Sequence, residues 1–161
     1  GLGRLFDGVA AIMGLRRQVS FEGQAAMELE GQITETSGAS YLFDIKRDEE
    51  CFILDVSETI RSIVDEIKRG TDKSKISFSF HWTLAHAFVA MANEIKEITG
   101  INRVALSGGC FQNRILLEKS MSELKNAGFK VYCHRLVPAN DGGIALGQAV
   151  IAGAIMKNRK A

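Results

Sequence analysis

Proline is almost missing from this chain, with Pro138 alone among 161 residues, so proline-rich linkers are excluded and one compact unit is expected. Cysteine is scarce as well. Cys51, Cys110 and Cys133 are odd in number and show no C-x-x-C spacing, which excludes a disulfide framework or zinc knuckle and fits a reducing cytoplasm. Charge of one sign is lacking, since the formal net charge is +1. That gives no basis for nucleic-acid affinity or for a polybasic membrane surface. No apolar run approaches the roughly 18–20 residues of a membrane span. The chain opens Gly1-Leu2-Gly3, with neither methionine nor signal-peptide layout, and a fragment of a longer protein is expected. What remains is ordinary globular material, 46% hydrophobic and 24% charged, without repeats or low-complexity tracts.

Periodicity divides this material into elements. "RLFDGVAAIMGL" (4–15) has helical spacing through Leu5, Val9 and Met13, and "EGQAAMELEGQ" (22–32) reads as a second short helix. After the loop 34–40, "YLFDIK" (41–46) and "ECFILDV" (50–56) are strand-like and predict a hairpin. Asp55 with Glu58 resembles a capping box opening a helix over 57–68. The longest helix is predicted over 77–99, with Leu84, Phe88, Met91, Ile95 and Ile98 on one stripe and Gly100 past its end. Strand 103–107, helix 112–127, strand 129–133 and a last helix over 142–157 predict a parallel α/β layer. With the hairpin, the expectation is a mixed sheet flanked by helices.

Two glycine-rich junctions stand out. Ser107-Gly108-Gly109 lies where a strand hands over to a helix, with Asn113 in that helix's first turn. Glycines there serve either a tight turn or the close approach of a ligand to backbone, and the helix that follows turns its positive end to the same space. The spacing is neither G-x-x-x-x-G-K-[ST] nor G-x-G-x-x-G. In "VPANDGGIALGQAV" (137–150), Asn140 or Asp141 is placed to cap the final helix, or Asp141 to offer oxygen to a metal. Two glycines are a costly helix start, about 1 kcal/mol each against alanine.

Asp7 either faces water or holds a ribose through its hydroxyls, because Ala10, Ala11 and Gly14 leave room beside it. Glu22-Gly23 reads as a helix start or a ligand contact. His81 and His86 lie about 140° apart around a helix, not at the i, i+4 spacing of a shared metal, so His81 is expected to be hydrogen-bonded and partly buried. His134 beside Cys133 carries little signal. Cys110 is either a small buried filler or a thiol activated at a helix N-terminus.

In order along the chain, "GRLFDGVAAIMGL", "FEGQAAMELE", "FHWTLAHAF", "LSGGCFQNRIL" and "VPANDGGIALGQA" resemble the C-terminal part of the HypF carbamoyltransferases, which mature nickel–iron hydrogenases. The resemblance implies the second lobe of an actin/hexokinase-like ATPase fold, with residues 1–161 as the C-terminal half of a TsaD-like carbamoyltransferase domain. It implies that Asp7 holds the nucleotide sugar and that Gly23, after a short insertion, lines the same pocket. It further implies that Gly108 and Gly109 form the binding turn, that Asn113 contacts substrate and that Asp141 ligates a metal.

Members of that family use carbamoyl phosphate and ATP to form carbamoyl adenylate. They pass the carbamoyl group to the C-terminal cysteine thiolate of HypE, on the way to an iron-bound cyanide. ATP, a divalent metal (Mg, Zn or Fe) and HypE are therefore the implied cofactors and partner; a homodimer through a contiguous apolar patch is a further expectation. The family's H-x-x-x-H metal pair, zinc modules, acylphosphatase-like domain and adenylate-forming domain are not in this sequence. The 161 residues are thus expected to supply half a cleft and to be inactive alone. The alternatives are a lobe of a tRNA threonylcarbamoyl or small-molecule O-carbamoyltransferase, and an assembly module without catalysis.

Overall fold

A computed structural model describes residues 1–48 and 51–158. Helices α1 (Leu2–Ile12) and α2 (Gln24–Gly31) come first, then strands β1 (Asp44–Arg47) and β2 (Phe52–Asp55) and helices α3 (Ser57–Lys68) and α4 (Lys73–Thr99). Strand β3 (Arg103–Leu106), helix α5 (Arg114–Asn126), strand β4 (Lys130–Cys133) and helix α6 (Ile144–Asn158) complete the order. Both strand orientations expected from sequence are present. They form two separate two-stranded sheets, β1–β2 antiparallel and β3–β4 parallel. Glu50, with which the predicted second strand opens, lies outside the described residues.

The core has two parts. Phe6 and Val9 of α1 and Met13 just past its end meet Leu29 of α2, Ile63 of α3, Phe80 and Leu84 of α4 and Leu116 of α5. A smaller group, Leu106, Leu124 and Phe129, joins β3 to α5 and the approach to β4. The α1 stripe is as its periodicity predicts, and Gly14 at φ +67° closes the helix in a left-handed conformation that a side chain would strain.

Helix α4 ends at Thr99 before a left-handed Gly100 as expected, but its start and its buried stripe differ from expectation. It begins at Lys73, where the Asp72 carboxylate accepts from the Ser74 N–H at 2.7 Å. Its first turns are buried on most sides although they carry serines. Ser77 Oγ donates to the Leu29 carbonyl, Ser74 Oγ accepts from the Thr34 and Glu35 N–H groups, and Thr83 Oγ1 accepts from the Tyr41 N–H. The Ser74 and Thr83 hydroxyls hold the irregular segment 33–41 against the helix where no strand does so, which satisfies its backbone without a ladder. At the other end the predicted stripe fails, and Ile95 and Ile98 are exposed. The capping box also differs. Asp55 accepts from Ser57 N–H and Oγ at 2.9 and 2.6 Å, while Glu58 pairs with Arg61 instead of reaching back. Among the described residues no helix is long and apolar enough to cross a membrane.

Candidate functional site

Parallel strands β3 and β4 run side by side in register Arg103↔Lys130 to Leu106↔Cys133, so the two glycine-rich junctions leave the same edge of the sheet. Ligands in α/β layers favour that edge, beyond the carboxyl ends of parallel strands. The junctions also touch. Gly108 N–H donates to the Ala139 carbonyl at 2.9 Å, and Ser107 Oγ lies 2.8 Å from His134 Nε2. Gly108, Gly109 and Asp141 therefore belong to one surface, all three exposed.

The glycines differ in what requires them. Gly108 sits at φ +104°, while Gly109 has an ordinary φ and nothing within 4 Å of where a Cβ would stand. Folding alone leaves Gly109 free to carry a side chain, and open space above a bare backbone is what a closely approaching ligand needs. At the second junction packing gives the reason. A Cβ on Gly142 would meet Pro138 Cγ at 3.1 Å, and one on Gly143 the Pro138 carbonyl at 3.0 Å.

Helix α1 reaches the same surface. Cys110 and Phe111 pack against the cluster that holds Phe6 and Val9. Burial, and then the neighbouring Asp7 carboxylate, push the Cys110 thiol above its ordinary pKa. Cys110 is thus a partly buried filler rather than an activated nucleophile. Asp7 itself is exposed. Gly23 stands apart. It is exposed, opens α2 at φ +80°, and lies at the opposite end of that helix from Glu30, about 10 Å along the axis at 1.5 Å per residue.

Asn113 is inside rather than at the surface, 8% exposed. Its Oδ1 accepts from the Leu116 N–H at 2.8 Å, capping α5, and its Nδ2 lies 2.8 Å from His81 Nε2. His81 is wholly buried, more so than its sequence position predicts, and its Nδ1 lies 2.7 Å from the Ser77 carbonyl. A carbonyl only accepts, so Nδ1 carries the proton and Nε2 takes one from the Asn113 amide. Burial pulls the His81 pKa down to about 4, keeping the ring neutral near pH 7.

Sequence reasoning did not identify Glu30, whose Oε1 accepts from the Ile115 N–H at 3.1 Å. The first turn of α5 is therefore already occupied by two protein oxygens, from Asn113 and Glu30. Nor did it identify the Ser107–His134 contact, because Ser107 reads as the last residue of its strand and His134 as lying past the end of the other. No candidate residue lines the cavity of about 440 Å³ bounded by Gly38, Tyr41, Glu66, Lys75 and Ser79. Among the described residues no three His, Cys, Asp or Glu side chains group as a metal site. Asp141 by itself does not make one, since divalent cations take several ligands.

Comparisons with known proteins find the following relatives. Residues 1–148 match the family described as carbamoyltransferase, Kae1-like domain, second subdomain. The chain is 39% identical over 148 residues to the carbamoyltransferase HypF of Synechocystis, covering 91% of this chain and 18% of that protein. It is 37% identical over 163 residues to that of Rhizobium leguminosarum, covering 99% and 20% respectively. The structure of a full-length HypF in a phosphate- and nucleotide-bound form superposes with a TM-score of 0.89 at 47% identity, over 97% of this chain and 20% of that one. The HypF of T. kodakarensis gives 0.75 at 27% identity, over the same 97% and 20%. The chain thus spans about a fifth of the length of these relatives.

Proposed function

Because this chain belongs to the HypF carbamoyltransferase family, as the second subdomain of its Kae1-like domain, we propose that it forms one wall of a nucleotide cleft in a carbamoyl-transferring enzyme. The observation that carries this reading is the joining of motifs distant in sequence. Gly108 is bonded to Ala139, two residues before Asp141, and Asp7 acts on Cys110. The nucleotide-bound state of a relative at 47% identity supports a nucleotide as the ligand.

In this reading the substrate is carbamoyl adenylate, formed from carbamoyl phosphate and ATP. The thiolate of a HypE C-terminal cysteine attacks the carbamoyl carbon, an S–C bond forms, the bond from that carbon to the phosphate oxygen breaks, and AMP leaves. Asp7 accepts from the ribose hydroxyls. Gly109 leaves the backbone bare for the ligand. The Asn113–His81 pair fixes the start of α5 next to the turn, and Gly23 lines the same pocket as Asp7. A divalent metal at Asp141 would need further ligands, which no group of described residues supplies, and would polarise an oxygen of the substrate. Three free thiols accord with a reducing, cytoplasmic setting.

Asp7→Ala in the complete protein is expected to weaken nucleotide binding about 10–100-fold, the worth of hydrogen bonds to a charged group. Asp141→Ala is expected to slow transfer to HypE. Unchanged transfer rates in both would favour an assembly module without catalysis. The 161 residues by themselves are expected to bind ATP weakly and to transfer nothing, and turnover by this chain alone would overturn the half-cleft assignment.

A further inference from the structure

The β3–β4 ladder ends at Leu106↔Cys133, yet the register does not. Ser107 and His134 are the next residues on each chain, and their side chains continue the pairing, with Oγ and Nε2 2.8 Å apart. Neighbouring positions in register on parallel strands point to the same face, so this contact follows directly from the ladder. Both residues are exposed, so core packing does not account for the pair. One residue on, the Gly108 N–H crosses to the Ala139 carbonyl at 2.9 Å. The two ties bracket residues 135–138 and clamp the loop carrying Gly108 and Gly109 onto the loop carrying Asp141.

We propose that His134 is a positioning residue that acts through Ser107, keeping the Gly108–Gly109 turn aligned with the Asp141 turn so that a nucleotide meets one preformed surface. The proposal rests on the nucleotide-cleft reading above and adds to it a residue that the cleft motifs do not contain. The physical basis is preorganisation. A serine hydroxyl and an exposed imidazole each rotate freely, and their mutual hydrogen bond removes that freedom before the ligand arrives. The backbone tie at Gly108 is a single hinge point beside a glycine at φ +104°. The Ser107–His134 contact supplies the second point that stops the two loops from pivoting about it.

The test uses the complete protein, with ATP as the probe for binding by calorimetry and transfer to HypE as the kinetic readout. Ser107→Ala and His134→Ala are each expected to raise the ATP Kd and KM about tenfold, within the range for coupled contacts, with kcat at saturating ATP unchanged. The double variant is expected to be no worse than either single one, because both remove the same contact. His134→Gln, whose amide reaches where Nε2 sits, is expected to recover most of the loss. Effects that multiply in the double variant, or an ATP Kd unmoved in every variant, overturn the proposal. If Asp7→Ala and Asp141→Ala impair binding and transfer while the Ser107 and His134 variants do not, this inference alone fails. If all four leave both unchanged, the cleft reading fails and takes this inference with it.

Discussion

Two segments of this chain are written alike and end differently. Residues 103–126 and 130–158 each run strand, a short 3-10 turn that contains glycine, helix. Each also places an asparagine as a cap, Asn113 accepting from Leu116 N–H and Asn140 from Gly142 N–H. Yet α5 lies against α4 with Leu116, Ser120 and Leu124 buried, while every side chain described in α6 is exposed, Val150 at 65% among them. Of the two helices, α6 is the more apolar in composition. Hydrophobicity therefore did not decide burial here. The presence of a facing surface did.

The largest expected effect breaks that symmetry directly. Leu124→Ala on α5 is expected to cost about 2–5 kcal/mol, the usual penalty for emptying a packed site. Leu146→Ala on α6 is expected to stay within about 0.5 kcal/mol, as exposed positions do. Urea unfolding of both variants measures the gap, and equal losses would mean that α6 is covered within this chain.

Next in size is a pH dependence that belongs only to the buried junction. The folded-state pKa of His81 is about 4, below the ~6.5 of an unfolded histidine. On acidification the unfolded chain therefore takes up the proton first. The stabilisation is complete above about pH 6.5 and lost as pH falls toward 4, roughly 3 kcal/mol over the window. His81→Asn is expected to be less stable at pH 7 but to show a flatter profile between these limits. Parallel unfolding curves at several pH values would show it, and identical slopes would contradict a neutral buried ring.

The smallest contrast lies between the two caps. Asn113→Ala removes a cap and strands the His81 Nε2 acceptor, for an expected loss of about 2–3 kcal/mol. Asn140→Ala removes one cap at the surface, with an expected loss of about 0.5–1 kcal/mol. Thermal unfolding ranks the two, and an inverted order would mean that the Asn113–His81 bond does not bind the junction together.

Much of this was legible beforehand because it is local. The bounds of α3, the left-handed glycine after α1, the parallel strand pair and the motifs at Gly108 and Asp141 all follow from periodicity and turn chemistry within a few residues. The stripe ending in Ile95 and Ile98 was misread for the same reason, since spacing reports that a face is apolar and not that anything covers it. Serine-rich α4 was underestimated because Ser74, Ser77 and Thr83 satisfy backbone groups 39 to 48 positions away, and no local rule assigns those partners.

Sequence by itself determined the elements, the two glycine junctions and, through five ordered motifs, the family. Each depends on residue type and near spacing, which the chain carries wherever it folds. Tertiary structure alone decided that Asn113 turns inward to His81, 32 positions away, that Glu30 occupies the start of α5 from 85 positions away, and that Ser107 meets His134. Burial and hydrogen-bond satisfaction are properties of what lies opposite a residue, and only the folded chain supplies that.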